Sequence, residues 1–136
     1  MLFIDRRFVF AGIFCTTLLG CGSKEMGPPT AHLQGKVTIG GQPIAADAEG
    51  FVTFRPTGNG QANSANTRIA GGRYDAEKVP LGKVKVIFDV QQKTGKMISG
   101  EGVAPFPEYR SLVPPQSSTG IDLEVNGDKA DQNFDL

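Results

Sequence analysis

The chain has 136 residues, with 14 lysines and arginines against 14 aspartates and glutamates. That is one domain of ordinary size, and a net formal charge of zero argues against nucleic acid as a main partner, because phosphate contacts need a surplus of cations on one face. Its 18 glycines and 9 prolines make up about a fifth of the residues, against about 12% in average proteins. So many breakers exclude a helical bundle and point to short strands with frequent turns.

The first element in chain order is a leader. Arg6 and Arg7 precede an uncharged run, Phe8 to Leu19, and a small residue, Gly20, stands just before Cys21. A basic start, a short apolar stretch and a small residue before a cut site make a secretory signal peptide. Twelve residues are too few to span a bilayer, which takes about 20. Leu18-Leu19-Gly20-Cys21 resembles the bacterial lipobox, with Leu19 where a small or hydroxyl residue is commoner. The resemblance implies that the Cys21 thiol takes a diacylglyceryl group and that cleavage falls after Gly20. Each buried acyl methylene adds about 0.8 kcal/mol, so two or more chains anchor a protein stably. Cys15 would leave with the leader, so a chain cut after Gly20 carries Cys21 alone and forms no internal disulfide. Export and lipid anchorage to a bacterial membrane, on its periplasmic or outer face, are the expectation. Residues 21–32 are small, polar and proline-bearing and read as a tether, leaving 33–136 as the folded domain.

Seven runs in that domain alternate with a period of two. They are Gly35 to Ile39, Gly50 to Arg55, Thr67 to Ala70, Arg73 to Ala76, Lys83 to Val90, Ile121 to Val125 and Asn133 to Leu136. Gly40-Gly41, Gly71-Gly72 and Asn126-Gly127 mark turns. The pattern predicts an all-β fold, a seven-stranded antiparallel β-sandwich with Phe54, Tyr74, Phe88, Phe134 and Leu136 inward.

Several of these segments resemble carboxypeptidase regulatory-like domains. Gly35-Lys36-Val37 with Gly41-Gln42-Pro43-Ile44 is similar to their opening, and Val52-Thr53-Phe54-Arg55-Pro56 to their V-x-F-x-P strand. Gly72-Arg73-Tyr74 with Val79-Pro80-Leu81-Gly82-Lys83-Val84-Lys85-Val86 is similar to their central signature, Val84 replacing the usual Tyr. Pro107-Glu108-Tyr109, Ser118 to Val125 and Phe134-Asp135-Leu136 are similar to the ending of small planctomycete lipoproteins. The resemblance runs from Leu33 onward. It implies a transthyretin-like (Ig-like) sandwich without catalytic residues of its own, and so a structural or interaction role toward an envelope protein or glycan.

Chemistry-bearing residues are sparse. His32, the one histidine, stands at the tether boundary and lacks the pocket that a nucleophilic triad needs. One histidine and an acylated cysteine are too few for zinc. Asp128 and Asp131 lack the spacing of a calcium loop. Glu101 and Glu108 have no apolar wall to separate their acidities. Tyr109-Arg110-Ser111 resembles the terminal motif of hydroxyisourate hydrolases, but it is internal here and the histidines of those enzymes are missing. No enzyme, metal or cofactor is expected. The segment 91–119 shows no strand pattern and reads as a long loop. Its Phe106, Tyr109 and Arg110 either pin that loop to the sandwich edge or form an interaction surface. A carrier for a small molecule or carbohydrate, with its pocket under this loop, is the alternative function.

Overall fold

The computed structural model describes residues 27–60 and 62–136, and these form an all-β fold. Nine strands follow in order: β1 (Thr30–Ile39), β2 (Gln42–Pro43), β3 (Glu49–Pro56), β4 (Ala65–Ala70), β5 (Arg73–Pro80), β6 (Gly82–Gly100), β7 (Val103–Ser111), β8 (Ile121–Val125) and β9 (Phe134–Asp135). They lie along one hydrogen-bonded path, β2-β1-β5-β4-β3-β6-β7, with β8 also on β6 and β9 on β1. Every pairing is antiparallel except β1 with β9, which is parallel. The sheet curls, and its concave side holds the core.

All seven alternating runs meet strands, the last of them only at Phe134–Asp135. Val52 and Phe54 of β3, Tyr74, Ala76 and Val79 of β5, and Val84, Val86, Phe88 and Val90 of β6 are buried. Removing each large apolar side chain from water contributes roughly 1.5–3 kcal/mol. Four aromatic rings run across the interior. Phe54 lies 5.8 Å from Tyr74, Tyr74 lies 5.8 Å from Phe134, and Phe134 meets Phe88 edge-on at 5.1 Å. The row ties β3, β5, β9 and β6 together.

The last eleven residues strap the open side of the curl. Lys129 N–H donates to His32 O at 2.9 Å, Gln34 N–H to Lys129 O at 2.8 Å and Gln132 N–H to Gln34 O at 2.9 Å. The Tyr74 hydroxyl donates to Gln132 O at 2.6 Å. Further along, the Asp135 carboxylate accepts from Gly41 N–H at 2.7 Å and the Thr38 hydroxyl at 2.8 Å. Those two donors hold Asp135 below the usual aspartate range. The strap fits because Gly35 has no side chain: a Cβ there would stand 1.9 Å from the Gln132 carbonyl oxygen.

The structure corrects the sequence reading in three places. The folded domain begins at Thr30, inside the segment read as tether, and Ala31 is buried. Two strands were not anticipated, β2 and β7, so nine strands replace seven. The segment 91–119 is mostly not a loop: it supplies the second half of β6, all of β7 and a turn of 3₁₀ helix at Pro115–Ser117.

Beyond Gln91, where the pairing of β6 with β3 stops, β6 and β7 continue as a two-stranded arm. About nine residues of β6 at about 3.3 Å each carry it roughly 30 Å past the sheet. Its length is broken by a bulge between Lys93 and Met97, where Gly95 takes a left-handed φ of 80°. Pro105 and Pro107 sit two apart on β7, so both missing N–H groups belong to one edge of the strand. That edge faces away from β6 and no described strand covers it.

Candidate functional site, an exposed arm

The arm gathers most of the large apolar surface that the fold leaves in water. Met97, Ile98, Val103, Phe106 and Tyr109 are 42 to 59% exposed, and among the described residues only Phe51 and Leu81 join them as exposed large apolar side chains. Large contiguous exposed apolar patches are where proteins commonly meet partners. Directly paired residues share a face of an antiparallel ribbon. Ile98 therefore stands beside Phe106, and Gln92 beside Arg110, while Met97 stands beside Pro107 and Lys93 beside Tyr109. The three residues singled out in the sequence are divided by this register: Phe106 and Arg110 share one face of β7 and Tyr109 points to the other.

Polar contacts stiffen the arm. The Thr94 hydroxyl donates to the Glu108 carboxylate, and Arg110 Nη2 donates to Gln92 Oε1 at 3.0 Å. At the base, Gln92 Nε2 donates to Asp47 Oδ1 at 2.9 Å. Lys93 Nζ lies 6.0 Å from the centre of the Tyr109 ring, within reach of a weak cation–π attraction. Glu101 sits in the turn at the tip, apart from Glu108 in mid-strand, so the two carboxylates form no pair. Sequence reasoning missed Met97, Ile98 and Val103. The signal was Gly100-Glu101-Gly102 between two apolar flanks, a hairpin pattern.

The other chemistry-bearing residues occupy the opposite end. Between β1 and β5 a bulge sets Glu77 and Lys78 against the single His32, and Lys78 takes a left-handed φ of 57°. The His32 Nε2–H donates to Asp75, which also accepts from Gln34 Nε2 at 2.9 Å, and the His32 backbone N–H donates to Asp128 Oδ1 at 2.7 Å. His32 is therefore a clasp between β1, β5 and the C-terminal strap. The hydrogen bond to Asp75 raises the imidazole pKa above its usual value, and the same bond lowers that of Asp75. Among the described residues no three His, Cys, Asp or Glu side chains are grouped to hold a metal.

The signs define a pH window. A raised histidine pKa contributes stability that is present below about pH 6.5 and lost as pH rises through the folded value. Lowered pKa values at Asp75 and Asp135 contribute stability that is present above about pH 4 and lost as pH falls. The clasp is strongest between those limits. His32→Ala is expected to flatten the fall in melting temperature as pH rises above about 6.5; a variant with the wild-type pH profile would sink the clasp.

Shallow grooves lie away from the arm. The larger, about 610 Å³, is lined by Thr30, Asn63, Ser64, Asn66 and Lys78 at the end where β1 begins. Leu18, Leu19, Gly20 and Cys21 lie outside the described residues. No described helix is long and apolar enough to cross a membrane. Comparison with family models, curated proteins and solved structures returned no match, so the site is read on its own geometry.

Proposed function

We propose that this chain is a non-enzymatic, lipid-anchored module of the bacterial cell envelope, a β-sandwich of the carboxypeptidase regulatory-like type that presents an interaction arm to another envelope component. One observation carries the reading. Thr30, where the domain meets its N-terminal segment, pairs with Pro80 beside the start of β6, whereas the arm leaves from the other end of β6. A chain acylated at Cys21 would be held at one end and would offer its apolar side chains, Phe106, Tyr109, Ile98 and Met97, at the far one. The lipobox and the segment resemblances support the anchored, non-catalytic class.

Two experiments test it. Cys21→Ser is expected to abolish incorporation of labelled fatty acid; labelling that persists overturns the anchor. Affinity capture from intact membranes, with the whole chain and with a variant whose residues 93–109 are replaced by a short turn, is expected to differ. Identical sets of partners would remove the arm from the function. A carrier role draws no support from the grooves, which lie away from the arm.

A further inference from the structure

The arm and the sheet it grows from share one solvent-facing surface. Strand alternation turns Phe88 and Val90 into the core and leaves Asp89, Gln91 and Lys93 exposed on the opposite face. Asp89 pairs with Phe51 of β3, which is 50% exposed, and Lys93 pairs with Tyr109 of β7, which is 44% exposed. Along about 13 Å of one strand, the face therefore passes from a carboxylate beside a phenyl ring, through an amide beside Glu49, whose charge Arg68 offsets at 3.6 Å, to an ammonium beside a phenol. Neither Asp89 nor Lys93 has an ion-pair partner within 4.0 Å among the described residues. Gln91 Nε2 only steadies Asp89, donating to its Oδ1 at 3.1 Å.

A stripe that is negative, neutral and positive in that order is complementary to itself turned end for end. Building on the arm as the interaction element, we propose that its partner is a second copy of this chain. The two copies dock face to face, with their β6 strands antiparallel about a two-fold axis through Gln91. Lys93 of each copy then meets Asp89 of the other, and the apolar arm residues Tyr109 and Met97 lie over the partner's β6–β8 face instead of in water. A closed two-fold contact of this kind uses the same patch twice.

Area favours this arrangement over arms that meet only each other. A ribbon about 10 Å wide and 30 Å long gives roughly 600 Å² over both partners, half of the roughly 1,200 Å² that stable complexes bury. Laying each arm on the partner's sheet uses two arms and two sheets and about doubles that. Other occupants fit less well. Nine residues from Cys21 to Thr30 reach about 30 Å at most, and they start at the far end of a strand about 60 Å long. A strand added to the outer edge of β7 would find no N–H at Pro105 or Pro107.

The test uses the full chain, purified in detergent micelles. The expected result is a dimer by sedimentation equilibrium, with Gln91→Cys joined into a covalent dimer by a short bis-maleimide that spans the roughly 10 Å between docked sheets, while Arg73→Cys, exposed on β5, is not. Lys93→Glu and Asp89→Lys should each weaken the dimer by about tenfold or more, and the two together should restore it. A monomeric chain, a double variant as weak as the singles, or equal cross-linking at Arg73→Cys would overturn the self-docking. If the chain is monomeric but replacing residues 93–109 still changes what is captured from membranes, the self-docking falls and the interaction role stands. If that replacement changes neither association nor capture, both fall.

Discussion

Gly35→Ala is expected to be among the most damaging single-methyl additions in this protein. The new Cβ would lie 1.9 Å from the Gln132 carbonyl oxygen and 2.5 Å from its carbon. Both are backbone atoms, so no side chain can swing aside. The strap must lift from β1, straining the bonds from Gln132 N–H to Gln34 O and from the Tyr74 hydroxyl to Gln132 O. Overpacking costs about 1–3 kcal/mol and each lost hydrogen bond about 0.5–1.5 kcal/mol. The loss should therefore be about 3 kcal/mol or more, which in a domain near this size lowers the melting temperature by roughly 10–20 °C. Gly127→Ala is the control: nothing lies within 4 Å of its Cβ position, and a change within about 0.5 kcal/mol is expected. Equal melting curves for the two variants would mean that the strap does not press on β1.

Phe54→Ala should cost about 3–5 kcal/mol. The ring is fully buried and stands at one end of the aromatic row, 5.8 Å from Tyr74. A domain of this kind has about 5–15 kcal/mol of total stability, so the variant will be close to unfolding. Phe51→Ala, three residues earlier on the same strand, removes the same atoms from the opposite face, where half the residue is exposed. In dilute solution it should change stability by no more than about 0.5 kcal/mol. Urea titration of both variants checks this, and comparable losses would contradict the assignment of the two faces of β3.

The contrast between these two phenylalanines also explains what could be read from the sequence. Alternation is visible where one face is wet and the other dry. Val84, Val86, Phe88 and Val90 announced β6, and the same rule placed Tyr74 and Phe134 inside. The arm has no dry face. From Lys93 to Gly100 every β6 residue is exposed, and the apolar ones, Met97 and Ile98, are adjacent rather than alternate. The bulge at Gly95 then breaks whatever period remained, and prolines on β7 argued for a loop. Thr30 to His32 were hidden differently. Their glycine- and proline-bearing approach suggests a linker, and only pairing with Pro80 and Val79 makes them strand.

The candidate surface was legible in composition but not in arrangement. Phe106, Tyr109 and Arg110 stand out as interface-type residues wherever they occur. That Tyr109 shares a face with Lys93, and hence with Gln91, Asp89 and Phe51, depends on the register of three strands. Register is set by contacts far apart in the chain, which no local pattern records. His32 illustrates the same limit, since Asp75 and Asp128, its partners, lie 43 and 96 residues away.

The two prolines of β7 carry a consequence for crowding. Proteins concentrated on a surface collide with their own copies far more often than proteins free in bulk, and a bare strand margin is where such collisions seed fibrils. A growing fibril must find a donor at every second residue of the template, and here two successive positions supply none. Pairing between copies along this margin is thereby interrupted at Pro105 and Pro107, and an added strand finds no continuous ladder there.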